Sequence, residues 1–362
     1  MIASISYLFN TINSLREWQS LRTDHKLEDI PTVSVCIPAR NETAELPECI
    51  ESIIATKYKK LEILVLDDCS HDKTPAIIKQ YAHDGVRFIN GDEPDGEWLA
   101  KNRAMNKLFD ESRGDIVIFA GVDVRFEKDT VHAIVANLQD GVDMISVLPT
   151  RDSRREMSIF IQTLRYWWEL AMPDVINRPP SLSTCWAIRR DALESIGEFD
   201  AYKNSVQPEA HFAKKLRNSY RFLISNKFLR IHSVKGPTDQ INTAVRKRYP
   251  QVGRLPENVM SVMIALIVYG VLPIVAVING QDYQIAMALT MLALLSTVSV
   301  ILSRLTVRKT WMFGAIALPF LILMEAYTLI RSMIAYEFGK VLWKERNICL
   351  PMYQVEDHLP KL

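Results

Sequence analysis

Two stretches near the C-terminal end constrain this chain more than any other feature. Val259–Ile278 (VMSVMIALIVYGVLPIVAVI) and Tyr283–Leu302 (YQIAMALTMLALLSTVSVIL) each run about 20 residues without a charge. At 1.5 Å rise per residue, either can cross a hydrocarbon core about 30 Å thick. The link between them, NGQDYQ, carries no Lys or Arg, whereas the next link, SRLTVRKT, carries Arg304, Arg308 and Lys309. The positive-inside rule puts the second link in the cytoplasm, and the large N-terminal region with it. A third apolar stretch, Trp311–Ile330, is interrupted by Pro319 and Glu325. A single crossing there leaves the tail, with Arg331, Lys340, Lys344 and Arg346, on the outer side against the same rule. A bent or re-entrant segment returns the tail to the cytoplasm. Both readings stand, with a span slightly preferred, so a membrane domain over residues 255–335 holds two to three transmembrane helices.

The rest of the chain is of a different kind. Lys and Arg total 43 against 42 Asp and Glu, a net charge of +1, and that balance excludes the basic excess of a nucleic-acid binder. With 48% hydrophobic and 23% charged residues, a disordered or low-complexity chain is excluded as well. The five cysteines (Cys36, Cys49, Cys69, Cys185, Cys349) form no CxxC pair and no zinc spacing with His. They read as free thiols in a reducing compartment, in agreement with a cytoplasmic domain. Over residues 1–30, Ile5, Leu8, Ile12, Leu15 and Trp18 recur at helical spacing. That stripe fits an amphipathic helix at a membrane interface, or one packed on the membrane helices.

From Thr32 onward strand and helix signals alternate. Strands are expected at Val33–Ile37, Leu61–Leu66, Val86–Ile89 and Ile116–Phe119, with helices at about 44–55, 74–81 and 99–110. That alternation predicts an α/β domain with a mostly parallel sheet over residues 31–250. Such sheets bind ligands outside the carboxyl ends of their strands, which makes the residues just past those ends the ones to read. They are Pro38-Ala39-Arg40-Asn41-Glu42, Asp67-Asp68-Cys69-Ser70 and Gly121-Val122-Asp123. No GxGxxG or GxxxxGK[ST] occurs, so the usual phosphate cradles are missing. A metal ion bridging a diphosphate is the natural substitute, and a strand-end carboxylate can ligate one.

Four motifs in register, VSVCIPARNE, ILVLDDCSHDKT, GEWLAKNRAMN and GDIVIFAGVDVRF, resemble the nucleotide-sugar half of family 2 glycosyltransferases, which have a GT-A fold. Past the membrane segments, GKVLWKERN is similar to the WKGR-type tail of a membrane-bound branch acting on carotenoid, hopanoid or other lipid acceptors. The resemblance implies that Pro38, Arg40 and Glu42 border the nucleotide, that Asp68 faces the base and that Lys101 lies near the diphosphate. It implies that Asp123, at the last position of a DxD motif, holds Mn²⁺ or Mg²⁺ on the diphosphate. Gly121 occupies the first position of that motif. In QPEAHFAKKL, Glu209 falls where the family places its general-base aspartate, with Pro208 in place of the preceding glutamate. Glu209 is then the expected base and His211 the second candidate.

In VRKRY, Arg246 or Arg248 either reaches the diphosphate or an anionic lipid head, or serves as a juxtamembrane cation on anionic lipid. Trp167, Trp168 and Trp186 either line an acceptor groove or anchor the core. The expected protein is a multi-pass enzyme of the cell membrane with its catalytic domain in the cytoplasm and a tail over residues 336–362. It moves a hexose with inversion from a nucleotide-diphosphate sugar, UDP first, to a lipid acceptor. A polyprenyl-phosphate acceptor and a non-catalytic membrane scaffold are the rival readings.

Overall fold

The computed structural model describes residues 2–18, 30–93, 96–152, 179–225, 229–307 and 309–349. Trp167 and Trp168 lie outside them. The chain divides into two compact units, one of residues 18–150, 178–234 and 343–362, the other of residues 1–17, 151–177 and 235–342.

After α1 (Ile2–Trp18), the first unit begins with β1 (Val33–Ala39), α2 (Leu46–Ile54), β2 (Leu61–Asp67), α3 (Thr74–Gln80), β3 (Val86–Asn90), α4 (Ala100–Glu111) and β4 (Ile116–Ala120). It continues through β5 (Val124–Arg125), α5 (Thr130–Ala136), β6 (Met144–Leu148), β7 (Thr150–Arg151), β8 (Cys185–Arg189), α6 (Arg190–Ser195), α7 (Pro208–Lys215), β9 (Tyr220–Ile224) and β10 (His232–Ser233). The main sheet has the order β3-β2-β1-β4-β8-β6-β9. Its pairings are parallel except at β8, which runs antiparallel to both β4 and β6.

Alternation along the strands explains the layering. Val33, Val35, Ile37, Ile63, Val65, Ile116 and Ile118 point to one face, where α2, α3 and α5 cover them. Cys36, Leu64, Leu66, Val117 and Phe119 point to the other, under α4, α6 and α7. β1 continues past Pro38, where a break is expected. Its pairing with β4 ends at Cys36, while its register with β2 runs on to Ala39↔Asp67. A proline beyond the last two-sided position breaks little of the ladder. Trp186 belongs to the core reading. It is 0% exposed and stacks on Phe119 with centroids 4.4 Å apart.

The second unit holds α1, α8 (Pro237–Gln251), α9 (Pro256–Leu266), a π turn at Ile267–Val271, α10 (Leu272–Asn279), α11 (Asp282–Thr306) and α12 (Gly314–Glu337). Among the described residues three segments are long and apolar enough to cross a membrane: Pro256–Asn279, Asp282–Thr306 and Trp311–Glu337, with mean hydropathy 2.7, 2.4 and 1.9. The π turn precedes Pro273, whose ring nitrogen cannot donate to the carbonyl one turn back. Close helix contacts fall at small residues, as membrane packing favours. A Cβ on Gly270 would meet Ile322 at 2.7 Å, and one on Gly314 would meet Ser303 Oγ at 2.5 Å.

The helix α8 packs with the apolar helices, a division different from a border near residue 250. Hydrogen bonds explain it. Pro250 inside α8 leaves the carbonyl of Arg246 without its helical donor, and the Tyr336 hydroxyl donates to it at 2.7 Å. The Tyr249 N–H donates to Ser332 Oγ at 3.0 Å. On α1, Ile2, Ile5, Phe9 and Ile12 are exposed while Ser4 and Thr11 are buried, and Tyr7 meets Tyr269 edge to face. Apolar groups outward and small polar groups inward is the pattern of a helix whose solvent is lipid.

The tail folds back as a hairpin, β11 (Leu342–Trp343) and β12 (Arg346–Asn347). From Trp343 on it belongs to the α/β unit.

Candidate functional site

Because β1, β2, β3 and β4 are parallel, their carboxyl ends and the loops after them share one edge of the sheet. Two tight turns begin there, with Asn41 (φ 50) and Cys69 (φ 53) in the left-handed region. The loops are laced together. The Asn41 N–H donates to Ser70 Oγ at 3.0 Å, that of Glu42 to Thr74 Oγ1 at 2.9 Å, and that of His71 to Asn41 Oδ1 at 3.0 Å. Asp72 accepts from Thr43 and Thr74. Burial pushes its carboxyl up, but the hydrogen bonds outweigh this and bring it down to about 2.

Arg40 is 4% exposed. Its Nη1 donates to the carbonyls of Asp68 and Cys69, both at 2.6 Å, so its guanidinium braces the second turn from below. Pro38 is half-buried within β1, and Lys101 is half-buried in the first turn of α4. Asp68 is 2% exposed. Burial pushes its carboxyl up to about 6, with Arg346 and Arg40 pulling it down and Glu93 adding to the rise. The hydrogen-bonded oxygen is Oδ1, and Oδ2 is buried without a partner among the described residues, as is Asp67 Oδ1.

The turn after β4 is pinned from three directions. The Gly121 N–H donates to the Thr184 carbonyl at 2.9 Å, the Val124 N–H to the Gly121 carbonyl at 3.0 Å, and the Val234 N–H to the Asp123 carbonyl at 2.9 Å. Ser233 Oγ donates to Asp123 Oδ2 at 2.8 Å. A Cβ on Gly121 would stand 2.7 Å from Asp123 Oδ1. The glycine at the first DxD position is therefore what leaves room for the carboxylate at the last. Two buried thiols register the charge nearby. Burial pushes Cys185 and Cys49 up to about 12, and the Asp123 carboxylate adds to both, with Glu42 adding to Cys49.

Glu209 lies in the first turn of α7. It is 0% exposed, and neither carboxylate oxygen has a hydrogen-bond partner among the described residues. A buried carboxyl without a partner is costly in a merely structural role. His211 is exposed and stacked on Tyr202 with centroids 4.4 Å apart. The two candidates for the base are thus set apart by burial. The loop leading to α7 is tied to α4 by Asn102 Nδ2, which donates to the carbonyls of Lys203 at 2.9 Å and Ser205 at 2.8 Å.

Arg248 belongs to the other unit. Its Nε lies 2.8 Å from Glu325 Oε1, with the two side chains 3% and 2% exposed. That guanidinium is committed to an ion pair on α12. Arg246 donates to Thr243 Oγ1 at 3.0 Å.

Sequence reasoning missed the tail as part of this site. Arg346 Nη1 donates to Asp68 Oδ1 at 2.6 Å and Nη2 to Glu93 Oε2 at 2.9 Å. Lys344 Nζ lies 3.0 Å from Glu42 Oε1 and donates to the Asn41 carbonyl at 3.0 Å. Arg40 Nε donates to the Lys344 carbonyl at 3.1 Å. The available signal was the cations of GKVLWKERN, Lys344 and Arg346 among them, and an excess of acids at the strand ends.

Among the described residues no group of three or more His, Cys, Asp or Glu could hold a metal ion. Asp123 alone suits an ion that arrives with phosphate oxygens of its own, as Mg²⁺ and Mn²⁺ do.

The glycosyl transferase family 2 model matches residues 34–197. The chain is 26% identical over 213 residues to the undecaprenyl-phosphate 4-deoxy-4-formamido-L-arabinose transferase of Pseudomonas paraeruginosa, covering 56% of this chain and 55% of that one. It is 31% identical over 112 residues to the 4,4'-diaponeurosporenoate glycosyltransferase of Staphylococcus haemolyticus, covering 31% of this chain and 29% of that one. The chain thus spans about half or less of the length of the curated relatives it matches. Among solved structures, mannosyltransferase PcManGT from Pyrobaculum calidifontis, in complex with GDP-Man and Mn²⁺, superposes with a TM-score of 0.58 at 19% identity. The match covers 91% of this chain and 94% of that one. The shared fold is GT-A.

Proposed function

Residues 34–197 are a glycosyl transferase family 2 domain, and from that premise we propose that the protein moves a hexose from a nucleotide-diphosphate sugar, UDP first, to a lipid acceptor at the cytoplasmic face of a membrane. The observation that carries this reading is Asp123, held at the carboxyl end of a parallel strand by Ser233 and kept clear by Gly121. A divalent cation, Mn²⁺ or Mg²⁺, bound by Asp123 and the diphosphate would take up charge developing on the leaving nucleoside diphosphate. On this reading Pro38, Arg40, Glu42 and Asp68 serve the nucleotide and Lys101 the phosphates.

Glu209 acts on the acceptor. Its carboxylate takes the hydroxyl proton as the acceptor oxygen bonds to the anomeric carbon, and the bond from that carbon to the diphosphate breaks on the opposite face. The configuration inverts. Burial suits a general base, since it keeps competing water away. Apolar helices in the same chain would keep the enzyme at the bilayer that carries a lipid acceptor, and the cations Arg304, Arg308 and Lys309 support a cytoplasmic orientation.

A second reading rests on the relative named for undecaprenyl phosphate. A phosphate acceptor is already an anion and needs no strong base. Glu209→Gln separates the two: it abolishes transfer to a lipid hydroxyl and spares transfer to a lipid phosphate. The primary test is calorimetric titration of the detergent-solubilised protein with UDP, GDP and CDP, with and without Mn²⁺. Metal-dependent binding of one nucleotide, lost in Asp123→Asn, is the expected result. No binding to a folded preparation overturns the reading in favour of a membrane scaffold.

A further inference from the structure

The contacts of the tail with the strand-end loops have a consequence for how the site is used. Arg346 and Lys344 reach the loops after β1, β2 and β3 at once, through Glu42, Asp68 and Glu93. Arg346 is 11% exposed and Asp68 3% by side chain. With Arg346 on Oδ1 and Oδ2 buried, a nucleobase has no open oxygen on Asp68 to reach. The hairpin turn is also held against its preference. Lys344 (φ 47) and Glu345 (φ 70) are both left-handed, and Glu345 stands where the WKGR pattern has the glycine that such a turn favours. A turn of this kind persists only where other contacts hold it, and the ion pairs to Asp68, Glu93 and Glu42 are such contacts.

We propose that the hairpin is a lid over the donor site: Arg346 and Lys344 neutralise the carboxylates of the strand-end loops, and the nucleotide must displace Arg346 from Asp68 to bind. This rests on the nucleotide-sugar reading of the same site. The device has a physical rationale. An acidic pocket repels a diphosphate, and a docked tail holds its charge in check until donor and metal arrive together.

The test uses the full chain in detergent, with hydrogen exchange over residues 341–349 and calorimetric binding of UDP and GDP with Mn²⁺. The lid predicts faster tail exchange when nucleotide is bound. Arg346→Gln should speed tail exchange without nucleotide and lower the nucleotide Kd about three- to tenfold. Glu345→Gly, which relaxes the turn without touching an ion pair, should slow tail exchange and raise that Kd. Slower tail exchange on nucleotide binding, or weaker binding by Arg346→Gln, overturns the lid and makes Arg346 a wall of the site. An unchanged Kd in Arg346→Gln overturns it too. If no nucleotide binds the wild type or either variant, the nucleotide reading has failed. Tail exchange in Arg346→Gln without nucleotide then still reports whether the ion pairs hold the tail.

Discussion

Gly121 and Asp123 show how far one residue's chemistry depends on its neighbour's size. A second carboxylate at position 121 would restore the two-acid form of the motif. The structure argues against any gain, because the first side-chain carbon there would press on Asp123 Oδ1 at 2.7 Å. Asp123 Oδ1 is the end of a side chain whose other oxygen accepts from Ser233, so relieving that contact means turning the carboxylate away from its present place. Gly121→Ala should therefore weaken Mn²⁺-dependent UDP binding by at least about tenfold, or about 1.4 kcal/mol, and Gly121→Asp by no less. Calorimetry decides it, and wild-type affinity in Gly121→Asp would show that Asp123 is not confined as described. Much at this scale was legible in the sequence. A polar residue just past a β-branched run must fall at the ligand-binding edge of a parallel sheet, and that alone located Arg40, Asp68 and Asp123. The partner of Asp68 was not legible. Arg346 lies 278 residues along the chain, and no local pattern encodes a contact at that separation.

Elements repeat the lesson. Strands β1 to β4 and the helices between them follow from short-range alternation and stripe, which is why their expected limits hold to within a residue or two. β8 is harder to read. It runs antiparallel into a sheet otherwise built of parallel pairings, and its position depends on chain closure, not on its own five residues. Glu325 is the sharper case. In sequence it interrupts an apolar stretch; in the fold it meets Arg248 of α8, 77 residues earlier, so the sequence displayed the cost and hid the compensation. A buried pair broken on one side leaves an unpaired charge, and Glu325→Gln should destabilise the protein by about 3–5 kcal/mol. Replacing both partners, as in Arg248→Met with Glu325→Met, removes the two charges together and should lose much less. Thermal unfolding of the four proteins of the cycle in one detergent measures this. Additive losses would mean that the two side chains do not interact.

At the scale of the whole molecule, the tail bears on how the chain would thread a membrane. Residues 18–150, 178–234 and the tail from Trp343 on fold into one compact unit, so position 234 and the tail are expected on one side of a bilayer. The chain between them must then cross an even number of times. Among the described residues three helices are apolar enough to cross, so an even number of crossings by them leaves at least one that does not. Charge selects it. Arg304 and Lys309 flank the link after α11, and the positive-inside rule places that link with the α/β unit. On this reading the segments Pro256–Asn279 and Asp282–Thr306 are expected to cross as a pair joined on the far side at Gly280 and Gln281. The last segment is then the one expected not to cross, although it forms one continuous helix over Gly314–Glu337 with Pro319 inside it and Glu325 buried. The cations Arg331, Lys340, Lys344 and Arg346 are then expected on the inner side, in accord with the positive-inside rule. Single cysteines at His71, Gln281, Lys309 and Asn347, in a chain whose five native cysteines are replaced by alanine, can be labelled with an impermeant maleimide in sealed vesicles of each orientation. Positions 71, 309 and 347 should label from one side and 281 from the other. Labelling of 347 from the side opposite 71 would establish three crossings and remove the tail from the donor site altogether.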